Sequence, residues 1–418
     1  MPLLLSNYAA ALKEIVLPYI KDNYPKEKIL VDKMKRNAGV TRINDEFIAP
    51  LRTSRHGGVA NLADDGNNVI SSSGATTSRA TVSVEILSAS FDISRLAIDA
   101  SKGPQMAVES ALTFQAQTLA EDFGRHVNRQ MYHDGIGIVS QVRTTGGSVG
   151  AGTAALELPD ANLDDGRSLD WYGTINNDIS PLKYITVDNV LGIGTGAADL
   201  GTVTSVTGTS VVMTGGPAIV ASDSVYLQDG SGEGAGTSDL LGVRAALSST
   251  TGTSTYAGVA RNVTGWAPAF GSASEALTLQ RMSSAYLSAR EYAMGGDGYV
   301  ILVNKSLYQK YGEILTAMRR TVNESDLLGG YTGLEFAAGA GRVGVFLDYD
   351  VPDGEVLILN LDSWTLCQVS DVDWLEDPQG GSLMRLQNTI TYQATMVWFA
   401  NMLCLAPASN ARETRKTD

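Results

Sequence analysis

Two glycine-rich motifs in this sequence match signatures that enzymes use. Residues 146–150 read Gly-Gly-Ser-Val-Gly and satisfy G-x-S-x-G, the pattern that exposes the serine nucleophile of many hydrolases. That serine needs a strand before it and a helix after it, and in these hydrolases the catalytic histidine comes last along the chain. Here a Gly/Thr-rich loop follows Ser148, and all three histidines precede it. A hydrolase that uses Ser148 is therefore only a remote alternative.

The second motif, at residues 339–344, reads Gly-Ala-Gly-Arg-Val-Gly and matches the dinucleotide-binding fingerprint G-x-G-x-x-G. The fingerprint works between a strand and the helix whose N-terminus binds the pyrophosphate. Here the glycines lead into a strand predicted at Val343–Leu347, which is the wrong order. The pattern therefore predicts a glycine-rich turn and no bound nucleotide.

A third stretch has the side-chain types of a cation site. Asp229, Ser231 and Glu233 resemble the first ligands of a calcium-binding loop. The twelfth residue of such a loop is a glutamate that binds the ion with both oxygens, whereas here it is Leu240. Because the ligand set is incomplete, we predict a solvated turn between strands, with a bound cation as the alternative.

The histidines and cysteines form no stronger metal site. His126 and His133 are seven residues apart, so they lie near one face of a predicted helix and, with Asp122, could hold a metal. Their position near the end of that helix favours surface or interface groups instead. Cys367 and Cys404 are far apart in sequence, which argues against a disulfide framework and a cysteine-type zinc site. We therefore predict a protein that is not an enzyme and uses no cofactor or metal.

The composition indicates a folded, acidic chain. Apolar residues make up 44% and charged residues 18% of the 418 residues, which is typical of a globular protein. The length predicts two or three domains. The low charged fraction suits a chain that buries surface against copies of itself. A net charge of −14 argues against a dedicated nucleic-acid reader with a basic face.

No export or membrane segment is evident in the sequence. The start of the chain lacks a basic stretch followed by an uninterrupted apolar core, as a signal peptide would have. No apolar run approaches the length that spans a bilayer. We therefore expect a soluble protein, made in a reducing cytoplasm.

One long helix is predicted over residues 104–133. Pro104 suits a first helical position, and Gly135 suits the end of the helix. About 30 residues at 1.5 Å each would extend roughly 45 Å, well above the usual length of a globular helix. The apolar residues recur every three or four positions and form one stripe: Leu112, Ala116, Leu119, Phe123, Val127 and Met131. We expect a sheet to rest on this stripe.

Amphipathic and extended segments precede the long helix. Residues 6–21 predict an amphipathic helix that needs another surface to lie on, and residues 47–86 predict a two-stranded hairpin that projects from the body. The residues between the two strands are too polar to form a core, so a disordered loop in a monomer is the alternative. Arg52, Arg55 and Arg79 are the candidates for contact with acidic positions of a neighbouring subunit.

Two further units follow the helix. Short strands separated by glycines, with a core at residues 184–246, predict an inserted antiparallel β module. From residue 272 on, a helix, the apolar strand Tyr299–Val303, a second helix and returning strands predict an α+β domain. The last residues, 408–418, are polar, and we expect them to fray.

The order of these parts resembles the major capsid proteins of tailed double-stranded DNA bacteriophages, with the Hong Kong 97-like coat fold. Residues 83–103 lead into the long helix as the hairpin of that family leads into its spine helix. Residues 298–315 are similar to its buried axial strand and following helix, and residues 343–360 to the segment that returns to its peripheral domain. The resemblance covers most of the chain except residues 137–270, and it rests on order and pattern rather than on a catalytic motif.

This resemblance implies an α+β fold with an N-terminal arm, an extended hairpin loop, a spine helix, and peripheral and axial domains, plus the inserted β module. The implied boundaries are 1–45 for the arm, 46–93 for the hairpin loop, 94–136 for the spine helix of the peripheral domain, 137–271 for the glycine-rich linker and inserted module, 272–345 for the axial domain, and 346–418 for the return strands and peripheral domain.

The resemblance also implies a function. Shell subunits of this kind assemble into hexamers and pentamers that form an icosahedral capsid around double-stranded DNA without reading its sequence. The implied partners are copies of the chain itself, a separate scaffolding protein, a portal and a decoration protein, with no membrane. The implied location is the virion capsid, after synthesis in the host bacterial cytoplasm. An encapsulin-like compartment protein, which has the same fold and a protein cargo, is the alternative.

Overall fold

A computed structural model gives the fold of the chain. It describes residues 29–54, 56–57, 74–95, 106–132, 135, 138–141, 153–157, 190–193, 200–207, 210–214, 224–228, 239–248, 254–263, 265–273, 275–293, 298–317, 324–327, 331–338, 341–348, 350–351, 354–376, 383–386, 389–414 and 416–417. Helices and strands occur throughout these ranges, so the mixed helix-and-sheet class that the sequence predicts is confirmed.

Up to residue 132, the described residues form a short helix, five strands and a long helix. In chain order these are α1 (Ile29–Lys33), β1 (Lys35–Arg36), β2 (Thr41–Ile43), β3 (Glu46–Arg52), β4 (Thr77–Ser83), β5 (Glu85–Ser94) and α2 (Met106–Tyr132). Gly135 follows α2 with a φ of 84°, a left-handed conformation that glycine adopts without strain and that ends many helices.

The remaining elements are mostly strands. Up to residue 276 they are β6 (Ile138–Gln141), β7 (Thr153–Glu157), β8 (Val190–Ile193), β9 (Leu200–Thr207), β10 (Ser210–Thr214), β11 (Ser224–Gln228), α3 (Val243–Ala246), β12 (Thr255–Tyr256), β13 (Val259–Ala260), β14 (Ala269–Gly271) and β15 (Glu275–Ala276). Then follow α4 (Leu279–Glu291), β16 (Tyr299–Val303), α5 (Lys305–Ala317), β17 (Glu324–Leu327), β18 (Tyr331–Ala338), β19 (Gly341–Leu347), β20 (Val356–Asn360), β21 (Trp364–Gln368), β22 (Asp373–Trp374), β23 (Met384–Arg385), β24 (Thr391–Cys404), β25 (Ala411–Glu413) and β26 (Lys416–Thr417).

The body sheet has six strands arranged around β24. β24 pairs antiparallel with β5 along one edge and with β21, β22 and β23 along the other, and β1 adds to β21 in parallel. Side chains of β24 alternate between two faces, as a half-buried strand requires. One face is buried in a hydrophobic cluster that it shares with α2, so the long helix covers this face of the sheet. We call the opposite, half-exposed face the outer face.

The second sheet has seven strands in the order β14, β25, β20, β16, β19, β18, β17. Every residue of β16 and of β20 is buried, as the apolar run at Tyr299–Val303 predicts. One face packs against α4 and α5, where Tyr286 and Tyr311 are buried. The other face, which includes Val300 and Leu302, belongs to the same cluster as α2 and the body sheet. The two sheets therefore share one continuous core.

The segment predicted as one hairpin loop, residues 46–93, belongs to two sheets. β3 and β4 pair antiparallel from Glu46–Ser83 to Arg52–Thr77, and β2 adds to the other edge of β3. After Ser83 the chain enters β5, which pairs with β24 in the body sheet. The buried residues Phe47 and Ala80 place the base of the hairpin in the main core. Farther from the body, the Pro50–Arg79 and Arg52–Thr77 pairs are exposed on both strands.

The predicted core of the inserted module, residues 184–246, needs correction at both ends. Its six-stranded sheet, in the order β6, β11, β8, β9, β10, β7, also contains β6 and β7, which precede residue 184. At the other end, Leu240 and Val243 are fully buried in the main core and so belong to the body. Ile138 faces Tyr226 in the β6–β11 ladder, so the module begins and ends at neighbouring positions.

The polar residues at 408–418 do not fray where the structure describes them. β25 lies inside the second sheet, between β14 and β20. Arg412 and Lys416 are buried because each has acidic partners. Polarity predicted a solvated tail, but charge pairing places this segment in the interior. It follows that the segment assigned to the return strands and peripheral domain, 346–418, also supplies β20 and β25 to the second sheet.

Among the described residues, no helix combines the length and the apolar character that crossing a bilayer requires.

Candidate functional site

Most residues with enzyme-like signatures lie outside the described part of the chain. This is true of Ser148, of the Asp229–Glu233 stretch and of His133. In the glycine motif at 339–344, Gly339 and Ala340 lie outside the described residues, and residues 341–344 belong to β19. β19 pairs antiparallel with β18, with Ala338 opposite Gly341. The motif therefore leads into a strand, as the sequence predicts, and not into the helix that a pyrophosphate site needs.

His126 has no metal-binding partners within the described residues. Its Nε2 lies 2.9 Å from Nε2 of Gln130, whereas Asp122 is exposed on the same helix. Burial, and secondarily the charge of Arg129, lowers the pKa of His126 to about 3. The ring is therefore neutral at physiological pH. Across the described ranges, no three His, Cys, Asp or Glu side chains come together in a way that could hold a metal ion.

The two cysteines are buried, reduced thiols on neighbouring strands of the body sheet. β21 contributes Cys367 and β24 contributes Cys404. Burial raises the pKa of each thiol to about 12. Because the thiolate is the reactive form, both side chains are inert packing residues at neutral pH.

A buried carboxylate joins α3 to the second sheet. Glu355 lies just before β20, and its Oε1 is 2.8 Å from Nη2 of Arg244 and 2.5 Å from Nη2 of Arg412. Burial alone would raise the pKa of Glu355, but the charges and hydrogen bonds of the two arginines hold it below its ordinary value. We call these three side chains the Glu355 triad. The triad fixes β25 beside β20 and ties both to the short helix α3.

A second polar junction anchors α2. The Tyr132 hydroxyl donates to Oδ2 of Asp348 at 2.8 Å, and Asn128 Nδ2 donates to Oδ2 of Asp350. Between these two residues, Gln130 Nε2 donates to Oδ1 of Asp239 at 2.8 Å. The end of the long helix is thereby held against the segment after β19 and the segment before α3.

Most of the predicted core residues of the long helix are buried. Phe123 is 4% exposed, and Val127 and Met131 are fully buried. Leu119 is half-buried against the same cluster, while the side chain of Leu112 lies outside what the structure describes. The buried stripe faces the body sheet, since Phe91 of β5 belongs to its cluster. This contact positions the sheet, and with it the outer face, relative to the helix.

The hairpin presents positive charge on one of its faces. Its ladder places Arg52 opposite Thr77, so Arg52 and Arg79 lie on the same face as diagonal neighbours. Both side chains are exposed, and Nε of Arg52 donates to the carbonyl of Ser54 at 3.0 Å. Arg55, the third candidate for contact between subunits, lies outside the described residues.

The outer face of the body sheet combines apolar and acidic side chains. Ile86 of β5, Phe399 of β24 and Val369, just after β21, form one row across the sheet, with Ile86 63% exposed. Exposed or half-buried apolar neighbours continue the row, and exposed acids surround it: Val397, Leu375, Asp92, Asp371 and Asp373. Exposed apolar residues with a polar rim are typical of surfaces that contact another protein.

The buried polar groups were not identified from the sequence. Asn410 accepts hydrogen bonds at Oδ1 from the backbone N–H of Asn360 and from Nε1 of Trp364, at 2.8 and 3.0 Å. Glu355 and Arg412 stand beside turn and tail residues and follow no periodic pattern. In the sequence they are simply charged residues beside apolar strands, and such residues most often indicate the solvent-exposed end of a strand.

The comparisons with known proteins identify the fold. No protein-family model matches the chain, and no curated protein sequence matches it. A chain of the cyanophage A-1(L) capsid asymmetric unit is 13% identical, with a TM-score of 0.52 over 94% of this chain and 94% of that chain. The capsid of the native GTA particle is 10% identical, with a TM-score of 0.44 over 94% of both chains.

An encapsulin is more distant. The SrpI encapsulin of Synechococcus elongatus PCC 7942 is 12% identical, with a TM-score of 0.28 over 35% of this chain and 53% of that chain. The cyanophage similarity, with its TM-score above 0.5, is strong enough to assign a fold. The resemblance to a phage coat fold is therefore confirmed at the level of the fold: this chain has the fold of the cyanophage A-1(L) capsid chain.

Proposed function

We propose that this protein is the structural shell subunit of a phage capsid, which assembles with copies of itself into a closed icosahedral shell around double-stranded DNA. The observation that carries the proposal is the shared fold, which extends over 94% of both this chain and the cyanophage capsid chain. A match over nearly the whole of both chains supports a common architecture rather than one shared domain.

The surfaces of the subunit support self-assembly. The outer face of the body sheet exposes an apolar row, and the hairpin exposes Arg52 and Arg79. In our proposal these arginines meet the acidic rim of the outer face of a neighbouring subunit, where Asp92 and Asp373 are exposed. Charge pairs of this kind steer association and set the register more than they add affinity.

The direct test is to express the full chain and image the purified particles by electron microscopy. We expect closed shells built from hexamers and pentamers. A protein that stays monomeric at high concentration, with and without a co-expressed scaffolding protein, would refute the proposal. The contents of the shells distinguish the two possible functions of this fold, because a phage capsid encloses DNA and an encapsulin-like compartment encloses a protein.

The hairpin contact has its own test. Arg52→Glu combined with Arg79→Glu should abolish closed shells and leave the thermal unfolding of the free subunit unchanged, since both side chains are exposed. Arg385→Glu, at an exposed arginine outside the hairpin, is the matched control and should still assemble. Restoration of shells by Asp373→Lys in the double variant would identify an acidic partner. Normal shells from the double variant would refute the contact.

The other partners follow from the same proposal. Replication of a tailed phage would supply a separate scaffolding protein, a portal and a decoration protein, with synthesis in the host cytoplasm and a final location in the virion. A net charge of −14 suits a container for DNA, because a strongly basic lining would bind phosphates tightly.

A further inference from the structure

Within the part of the chain that the structure describes, β5 is an edge strand of the body sheet. One of its edges pairs with β24 at every position from Glu85 to Ser94. Among the described residues, no strand pairs with its other edge. The preceding strand, β4, pairs with β3 on that same edge. The last hydrogen bond of this pairing runs from the N–H of Val84 to the carbonyl of Asp45, at 2.9 Å. The ladder formed by β3 therefore stops where β5 begins.

The register shows which backbone groups face this edge. The N–H of Arg95 donates to the carbonyl of Ile390, so Arg95 and Ile390 form a hydrogen-bonded pair, and the odd-numbered residues of β5 bond to β24. The other edge of β24 agrees with this assignment, because the N–H groups of Val369 and Leu375 donate there to the carbonyls of the odd-numbered residues Phe399 and Thr395. The even-numbered residues from Ile86 to Asp92 therefore direct their N–H and C=O groups to the open edge. We call these four residues the β5 edge: Ile86, Ser88, Ser90 and Asp92.

This edge lacks the usual protection against pairing. In natural proteins, lysines, prolines, bulges or a very short length keep edge strands from pairing with other chains. β5 has ten residues, contains no proline, glycine or lysine, and pairs with β24 without a bulge. The four edge residues are exposed, and Asp92 is their only charge. A long, regular and nearly uncharged edge is a template for a further strand.

We infer that the β5 edge pairs antiparallel with the β5 edge of a second copy of this chain, across a two-fold axis at Ser90. This inference rests on the proposed function, because a shell of identical subunits provides two-fold contacts. Two copies of one strand can pair antiparallel across a two-fold axis, which produces an isologous interface. No other protein is needed to complete the sheet.

The side chains favour this register over two others that the even-numbered residues allow. With Ser90 opposite Ser90, each Asp92 carboxylate lies opposite a Ser88 hydroxyl, which can donate to it. A shift that placed Asp92 opposite Asp92 would set like charges against each other, and one that placed it opposite Ile86 would leave the carboxylate beside an apolar side chain. The three central pairs would add roughly two backbone hydrogen bonds each.

Cysteine pairs test the register in the full chain. Ser90→Cys places two thiols in directly opposed positions, where Cα atoms about 5.5 Å apart can form a disulfide. Asp92→Cys alone places its two thiols about 14 Å apart, and Ser88→Cys does the same, so these variants are matched controls. The native cysteines are buried and should not contribute. With oxidised glutathione, we expect about ten-fold more disulfide-linked dimer from Ser90→Cys than from either control. A mixture of the two control variants should also form dimer, because position 92 of one copy lies opposite position 88 of the other.

Backbone pairing has a second test. Ser90→Pro removes only an N–H that faces the open edge, so it should fold as well as Ser90→Ala while losing the two-fold contact. Equal cross-linking at all three cysteine positions would overturn the inference. So would slow hydrogen exchange at Ser88, Ser90 and Asp92 in the unassembled subunit, because a segment of the same chain would then cover the edge.

The two proposals can fail separately. Closed shells in which Ser90→Cys does not cross-link would overturn the β5 pairing and leave the shell function intact. Specific Ser90→Cys dimers without closed shells would support the pairing and refute the shell function.

Discussion

Neutralising Glu355 should destabilise the subunit more than neutralising an exposed acid. Glu355→Gln leaves the buried arginines Arg244 and Arg412 with their charges and without the carboxylate that lies 2.8 and 2.5 Å away. Removing one partner of a buried ion pair typically costs about 3–5 kcal/mol. That is a large share of the 5–15 kcal/mol that a folded domain usually has. Urea unfolding of the unassembled subunit at neutral pH, followed by circular dichroism, should show a clearly lower midpoint.

The chain contains a matched control for this change. Asp371 pairs with Arg36 at 2.9 Å, but their side chains are 62% and 43% exposed. Asp371→Asn should therefore cost less than about 1 kcal/mol. Equal costs at Asp371 and Glu355 would refute the reasoning. Replacing the whole triad, with Arg244→Met, Glu355→Leu and Arg412→Met, should restore most of the lost stability, because apolar residues of similar volume often substitute for buried charges without loss.

Three further predictions concern packing and domain boundaries. Phe123→Asp should prevent folding, because it buries an unpaired charge at a cost of several kcal/mol, whereas Phe123→Leu should fold. A soluble Phe123→Asp protein with a native-like circular dichroism spectrum would contradict this prediction. Gly271→Ala should lower the free energy of unfolding, measured in urea, by about 1–3 kcal/mol, because a methyl group there would overlap a buried carboxylate. Gly312→Ala, in open space on a helix, should raise it by about 0.5–1 kcal/mol. Replacing residues 138–228 by a short Gly/Ser linker should preserve the helical signal, whereas replacing 184–246 should abolish it, because the second deletion removes Leu240 and Val243 from the main core.

Local patterns in the sequence located the regular elements well. A stripe repeating every three or four residues predicted a helix at 104–133, and the structure has α2 at Met106–Tyr132. Alternation predicted the strands of the hairpin, and a run of five apolar residues predicted a strand buried on both faces. These signals are readable because side-chain periodicity follows directly from helix and strand geometry.

Contacts between distant segments could not be predicted in this way. Glu355 meets Arg244 and Arg412 across 111 and 57 residues of chain, and each partner alone reads as a solvent-exposed charge. Because sequence patterns do not reveal such contacts, the polar terminal segment was predicted to fray, although pairing with acidic residues buries it. It also misplaced the limits of the β module, because β6 is too short to show alternation and Leu240 follows a polar stretch. Periodicity reports which side of an element is apolar, but it does not report the partner of a charge.

The position of β25 has a consequence for the timing of synthesis. β14 joins the second sheet only through β25, and Thr414 bonds to Gly271 across 143 residues of chain. At about 5–20 residues per second, a nascent β14 waits roughly 7–30 seconds on the ribosome before its partner strand has been made. During that interval one side of the sheet is unfinished, and α4 has only part of the surface on which it will pack. A translation product that stops before Ala411 never completes the sheet, so truncated chains are expected to be cleared by chaperones and proteases before they can join other subunits.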